Sequence, residues 1–509
     1  MSAAIDCEKF RLRAFVDRLT QLGEVEIHEA PVALAALGTH VESSGKASLF
    51  RRVGPEGFEM VAAVSGSRDR LAAAFGVDKR DLAQEMMRRM AKPQPVVEVA
   101  SSDAPVHAVV RTGEAVDLTT LPFHLQHALD GAPYISSAID YAVDPETGKT
   151  NVGCRRLMLR NRTTLRSNLS QPSDLQQIYK ACVARGKTLP VSFAVGSHPL
   201  DYLAASLRLP GDEFGMVASL RGEPVPMVRG ITNGVPAPAD AELIIEGYFD
   251  AQGYIEQEGP YGEFWGFYGP VHPDPVFHVT AITSRSDPLH QTVLHSGRFL
   301  SRSESTNLVA IITEVQAWRA LRAAGIEPVA IQSMPGTNGG AHMRLSLKRG
   351  TPGQARLAIS AIFALRRVKH VFVVDEDVDI FSDEEMEWAM STRFRADRDL
   401  VVAQDFPAFY ADPMADQKGM VAKMGFDLTT PYGRPDSIEE RRPRAAVSRP
   451  ARRWGSLREA LADGPKFFAE LMDGLASEDG REIALALDAL REEGVLGRTE
   501  DGRWVLASQ

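Results

Sequence analysis

Two short segments about a hundred residues apart carry the side chains best suited to proton chemistry: Asn151-Val-Gly-Cys-Arg155-Arg156 and Glu258-Gly-Pro-Tyr-Gly-Glu263. Gly259, Pro260 and Gly262 mark a turn between the two acids, which can bring both carboxylates to one cavity instead of opposite faces of a strand. Crowded carboxylates do not both ionise easily, so one is expected to keep a proton near neutral pH while an arginine steadies the other. The site would then offer an acid and an anion together. Read alone, Glu258 and Glu263 are also compatible with solvated loop acids, because most acids are exposed. The rest of the chain weighs between the two readings.

The elements that must position these residues follow from periodicity. Residues 7–24 and 67–91 have helical spacing with charged outer faces, whereas residues 104–300 are rich in short Val, Ile and Tyr runs punctuated by Gly and Pro. This predicts an α/β lead-in over 1–100 and a β-rich body over 101–304. The run from Ser305, STNLVAIITEVQAWRALRAAG, predicts a helix over 305–325 closed by Gly325 and linking two domains. Strand, Gly-rich loop, strand, helix and strand then follow in alternation, as expected of an α/β domain over 326–435. Arg441, Arg442, Arg444, Arg449, Arg452 and Arg453 among prolines make 436–456 an exposed basic linker. Beyond it, over 457–509, PKFFAELMDGL and REIALALDALREEG are amphipathic helices, and VLGRTEDGRWVL is a hairpin turning at Asp501-Gly502. This predicts a small winged-helix-like appendage. Its helices are mostly acidic outside, so packing or oligomerisation is expected of it in preference to DNA contact.

Composition narrows the classes. The chain has 509 residues, 44% of them hydrophobic, enough for two or three domains. A net charge of -10 disfavours nucleic acid as a partner. Cys7, Cys154 and Cys182 lack the number and spacing of a disulfide framework or a zinc site, which fits a reducing cytoplasm. Apolar runs are broken by charge before about 18 residues, so neither membrane insertion nor export is expected. Cys154 reads as a small buried hydrophobe, and His124 with His127 as loop histidines. The acidic run Asp375, Glu376, Asp377 and Asp379 has no phosphate-binding loop beside it.

Six segments then occur in a recognisable order: Leu121 to Leu159, leading into an Asn-x-Gly-x-x-Arg segment; LRGEPVPMV at 220–228; EGPYGEFWGFYG at 258–269; KHVFVVDEDVDIF at 369–381; WAMSTRFRADRDLVV at 388–402; and KMGFD at 423–427. Over about residues 100–430 the chain resembles the UbiD-like decarboxylases, which use prenylated FMN. The resemblance implies an α+β and α/β multidomain fold: a β-rich split-barrel flavin-binding domain, a linker helix, an α/β C-terminal domain and, in this chain, the winged-helix-like extension. The extension departs from shorter family members. It also implies reversible, non-oxidative decarboxylation of an aromatic, heteroaromatic or α,β-unsaturated acid, with the flavin as electron sink. The alternative class is a binding or assembly protein that has lost this chemistry.

Carried over residue by residue, the resemblance makes Arg156 the catalytic arginine, Glu263 the proton donor and Glu258 the second acid. It gives Asn151, Arg155, Arg156, Ser197, His198, Pro199 and Glu213 to the cofactor. Asn151 and Glu213 match metal ligands for Mn2+ (or Mg2+), with K+ nearby. The third ligand position, usually His, falls on Asp174, an acceptable hard ligand, although Ser173 or Asp174 would also cap the helix LQQIYKA. Phe264, His295, Arg302, Asn307 and Val309 fall where members shape specificity. Asn307 fits a pyrrole or indole carboxylate or else caps its helix, whereas His295 with Arg302 fits a furan or benzene dicarboxylate unless Arg302 is a solvated surface residue. A flavin prenyltransferase as cofactor supplier, a homodimer or homohexamer, and hinged closure at the 305–325 helix complete what the resemblance implies.

Overall fold

Apolar residues alternate along Tyr134–Val143, Thr150–Leu159, Leu189–Val195, Leu243–Phe249 and Val276–Ser284, and their buried faces meet in one core containing Leu157, Val191, Phe193, Ile245, Phe249 and Phe277. That inward face closes the sheet on itself. In the computed structural model, which describes residues 6–169, 171–208, 211–431, 443, 445–447 and 449–507, six antiparallel strands run in the order Leu243–Phe249, Leu189–Val195, Tyr134–Val143, Thr150–Leu159, Thr164–Ser167 and Val276–Ser284. The last pairs back with the first. Bulges between Ile135 and Ala138 and between Glu246 and Gly247 supply the bending that closure needs.

The chain divides into two compact units, Met1–Thr430 and Pro431–Gln509. In the first, helix Leu12–Gln21 packs on a four-stranded sheet whose fourth strand, His290–Gln291, comes from beyond the barrel. The helical spacing of 67–91 resolves into two helices, Arg68–Phe75 and Leu82–Met90. Gly76, at φ +73°, ends the first in the left-handed conformation that a side chain disfavours. After the barrel, helix Glu304–Ala323 leads to a five-stranded mixed sheet in the order Ala330–Ser333, His342–Leu347, His370–Asp375, Met420–Asp427, Leu400–Pro407. The expected multidomain α+β and α/β architecture is the one observed.

In the second unit, helices Leu457–Ala462, Phe468–Leu475 and Arg481–Glu492 share a core of Leu461, Leu471, Ile483, Leu487 and Leu490. The hairpin Leu496–Arg498 with Trp504–Leu506 turns through Gly502, at φ +85°. The first of these helices had no counterpart in the sequence reading. Of the basic linker, Arg441, Arg442 and Arg444 lie outside the described residues.

The helix Glu304–Ala323 fastens the first unit through two buried acids. Ser303 caps it, its side chain accepting from Thr306 N–H. Glu304 accepts from the backbone N–H groups of Ala63, Ser65 and Leu294, each at 3.1 Å, and from Ser65 Oγ. Three turns on, Glu314 takes a fork of bonds from Arg68 at 2.6 and 3.0 Å and one from Ser333 N–H at 2.9 Å. Glu304→Ala should therefore strand three buried donors and cost about 3 kcal/mol or more. The check is a fall in the urea midpoint of unfolding.

Candidate active site

Arg156 sits on the Thr150–Leu159 strand, where alternation gives Asn151, Gly153 and Arg155 one face and Arg156 the other. Asp140, opposite Gly153 on the neighbouring strand, organises the first face: its Oδ2 accepts from Asn151 Nδ2 at 2.5 Å, and its Oδ1 lies 2.7 Å from Arg155 Nε. On the second face, Arg156 donates from Nε and Nη2 to the two oxygens of Glu258, at 2.8 and 2.7 Å, and from Nη1 to Glu263 Oε1. One guanidinium thus bridges both acids.

The acids reach it from two short strands, Glu256–Glu258 and Tyr261–Glu263, which meet at a cis Gly259-Pro260 bond with Gly259 at φ +88°. The intervening Gly262 is required by packing, since a Cβ there would lie 2.5 Å from the His127 ring. Tyr261 supports Arg156 from below, its ring centre 4.4 Å from the guanidinium carbon and its hydroxyl 2.7 Å from Ser136 Oγ and 2.8 Å from Gln126 Oε1. Asp130 joins the same floor, accepting from Gly262 N–H and lying 3.1 Å from His127 Nδ1.

Each glutamate also has a histidine partner. Glu258 is fully buried; it accepts from Tyr134 Oη at 3.0 Å and lies 3.2 Å from His272 Nε2. Glu263 keeps 27% of its side chain exposed, with His295 Nε2 at 3.7 Å. Burial alone would raise both carboxyls. The His272 and Arg156 bonds to Glu258, and the His295 bond and Arg156 charge at Glu263, instead hold each at about 2. This runs against the expectation that one acid of the pair stays protonated, because a shared arginine and two separate histidines outweigh the burial that would raise both. Beside this pair, Asp274 is pushed up to about 7 by burial and by the charge of Glu258. It lies behind His272, with Oδ2 3.8 Å from His272 Nδ1.

Arg156 and Glu263 open into a cavity of about 620 Å³. Asn151, Asp174 and Glu213 line it too. Ser173 is the cap of its helix, accepting from Gln176 N–H, which leaves Asp174 free of that task; Asp174 pairs with Lys149 Nζ at 2.5 Å. Glu213 accepts from Val152 N–H at 2.6 Å and is pushed up to about 7 by burial, Asp140 and Asp174. This corner sets three carboxylates, Asp140, Asp174 and Glu213, against two cations, Lys149 and Arg155. Glu258, His272 and Asp274 also lie close enough to form a metal cluster. The Arg156 charge already bonded to both Glu258 oxygens opposes a cation there.

Three family models for the 3-octaprenyl-4-hydroxybenzoate carboxy-lyase match in sequence order: the N-terminal domain over residues 17–90, the Rift-related domain over 97–298 and the C-terminal domain over 306–428. The chain belongs to the UbiD carboxy-lyase family. An anhydromevalonate phosphate decarboxylase of Methanosarcina mazei is 32% identical over 424 residues, covering 82% of this chain and 95% of that protein. The UbiD-class enzyme HmfF from Pelotomaculum thermopropionicum, solved with FMN, matches at TM-score 0.79 and 32% identity, over 86% of this chain and 97% of that one. An evolved dimeric form of HmfF, solved with prFMN, matches at TM-score 0.75 and 31% identity, over 83% and 96%.

Within this UbiD chain, Asn151, Arg155, Arg156, Asp174, Glu213, Glu263, Phe264, His295 and Val309 all line the one cavity, and Glu258 stands directly behind Arg156. Five other expected residues, Ser197, His198, Pro199, Arg302 and Asn307, do not line it. His198 is buried against Phe10 and Phe15 and caps a helix through Leu200 N–H, with Pro199 as the first helical residue. Asn307 donates to the carbonyls of Ser301 and Ser303, bracing the helix start, and Arg302 stacks on Phe299, 4.6 Å from its ring centre. Ser197 is buried beside Gln291, to which its N–H donates. Cys154, expected in the core, is exposed to the cavity, with Sγ 3.5 Å from Ser206 Oγ.

Tyr134, His272, Asp274, Arg367, Phe409 and Tyr410 escaped the sequence reading. The alternating His272-Pro-Asp274, paired strand to strand with Glu256–Glu258, was the one available signal. Since both glutamates have lowered pKa values, the stability that Arg156 confers through them is complete above about pH 4.5 and is lost as pH falls toward 2. The stability gap between wild type and Arg156→Met should narrow over that window. Denaturant unfolding at stepped pH measures it.

Proposed function

We propose that this chain catalyses the reversible, non-oxidative decarboxylation of an aromatic, heteroaromatic or α,β-unsaturated acid with prenylated FMN, Glu263 being the proton donor. The observation that carries the reading is the single guanidinium bonded to two carboxylates at the wall of a large cavity. The volume is in the range of cofactor sites, roughly 300–1,000 Å³. Bound there, prenylated FMN supplies an electron sink for the carbon that loses carbon dioxide.

The residues of the chain supply the rest. Glu258, held as an anion and out of solvent, fixes Arg156 in orientation. Glu263 is the acid of the pair with access to the cavity. An anionic substrate carboxylate beside it raises its proton affinity, since a like charge disfavours the ionised form, and His295 is placed to pass it the proton. Phe264 and Val309 give the pocket apolar walls that exclude water.

Asn151, Glu213 and Asp174 would hold Mn2+ or Mg2+, whose charge would offset the excess of carboxylates over cations in that corner. K+ is assigned to the Ser197–Pro199 turn, where Ser197 Oγ is buried with no hydrogen-bond partner among the described residues. A flavin prenyltransferase as supplier, a cytoplasmic setting and a homodimer or homohexamer belong to the same reading. No helix among the described residues is long and apolar enough to cross a membrane.

Glu263→Gln should keep the flavin absorption of protein made together with a flavin prenyltransferase and lower carbon dioxide release by about 10²- to 10⁴-fold. Loss of flavin instead would make Glu263 a structural residue. Glu213→Ala should release Mn2+ on dialysis, which metal analysis reads directly; unchanged metal content would place the ion elsewhere.

A further inference from the structure

Another guanidinium lines the cavity, and among the described residues no carboxylate pairs with it. Arg367 lies in the turn between helix Gln354–Phe363 and strand His370–Asp375 and lines the cavity opposite the barrel. Its guanidinium carbon is 4.0 Å from the ring centre of Phe409 and 5.5 Å from that of Phe264. Its hydrogen bond, from Nη1 to the Asn338 carbonyl, is long at 3.4 Å. Among the described residues, the charged and titratable groups acting on it are Arg208, which repels it, and the Tyr410 phenol. Burial and Arg208 hold it down at about 10. A poorly solvated cation without a counter-charge is costly to keep unless an anion arrives to meet it.

The position is built rather than incidental. Lys423 is buried and donates to the carbonyls of Phe363 and Leu365, at 2.8 and 2.7 Å, which fixes the turn that carries Arg366 and Arg367. Arg366 Nε donates to the Ala408 carbonyl at 2.5 Å and ties the Phe409–Tyr410 segment to the same turn. Trp265 stacks on Phe409, rings 5.3 Å apart and within 9° of parallel. Arg367 is thereby held against the residues that follow Glu263. Arg156, Arg208, Glu263 and Tyr410 line the same cavity as Arg367.

We propose that Arg367 determines specificity by taking a second anionic group, a carboxylate or a phosphate, at the end of the substrate remote from the carboxylate that is lost. A planar fork backed by two aromatic rings suits bidentate binding of either anion. The inference rests on the decarboxylase reading above and narrows its substrate class to dianionic acids. It replaces Arg302, which points away, as the partner for a distal anion.

The test compares matched acids on the flavin-loaded enzyme: furan-2,5-dicarboxylate against 2-furoate, and an ω-phosphorylated α,β-unsaturated acid against its dephosphorylated form. Wild type should prefer the dianionic member of at least one pair, and the pair that responds tells carboxylate from phosphate. In Arg367→Met the preference, read as the ratio of kcat/KM values, should fall by about 10- to 100-fold, the worth of a hydrogen-bonded charge pair. Arg367→Lys should restore part of it, because a point charge attracts without the fork. Flavin absorbance per protomer should not change in Arg367→Met; its loss would assign Arg367 to the cofactor phosphate and overturn the proposal. If neither member of either pair is decarboxylated, the decarboxylase reading fails on these acids, and calorimetric binding decides the inference separately. Tighter binding of a dianionic acid by wild type, lost in Arg367→Met, supports it; equal binding of both members overturns it.

Discussion

One guanidinium holding two carboxylates is the constraint around which the first unit is arranged. Three fixed charges in so small a space are stable only if each is bonded and oriented, and the surrounding elements do this from different directions. The barrel strand supplies Arg156, two short strands supply Glu258 and Glu263, and Tyr134, Tyr261, His272 and His295 complete the contacts. The two acids have unlike surroundings. Glu258 is sealed behind the arginine with both its oxygens bonded to it, while Glu263 faces the cavity.

The helix Glu304–Ala323 performs the same task on a larger scale. Its buried acids grip the N-terminal sheet region, the 290s loop and the mixed sheet, so the wall opposite the barrel is fixed by hydrogen bonds to charged groups as well as by apolar contact. Val309 on that helix lines the cavity, and so does His295, whose Nδ1 lies 2.6 Å from Ser305 Oγ of the first turn.

Much of this was legible in the chain because short-range chemistry announces itself. Gly259, Pro260 and Gly262 between two acids demanded a turn, and the helix after Ser303 and the alternating strands after it followed from periodicity. Protonation was misjudged because the partners that decide it, His272 and His295, are brought in by strand pairing and by the helix cap, neither visible as spacing. Residue type left Asn307 open between substrate and helix start and Arg302 open between substrate and surface; the carbonyls of a capped helix start claim Asn307, and Phe299 claims Arg302. Arg367 is more than a hundred residues beyond Glu263, on a turn with no motif of its own, and only packing against Phe264 and Phe409 joins it to the site.

The Phe409–Tyr410 segment lies between the two edge-ward strands of the mixed sheet, Leu400–Pro407 and Met420–Asp427, far along the chain from the barrel strand bearing Arg156. On the proposed assignments, the residues for bond-breaking and those for substrate choice therefore come from separate stretches of sequence. With Arg367 as the partner of a distal anion, exchanges at Arg367 or at Phe409 behind it would alter which acid is admitted and leave the bonds among Arg156, Glu258 and Glu263 in place.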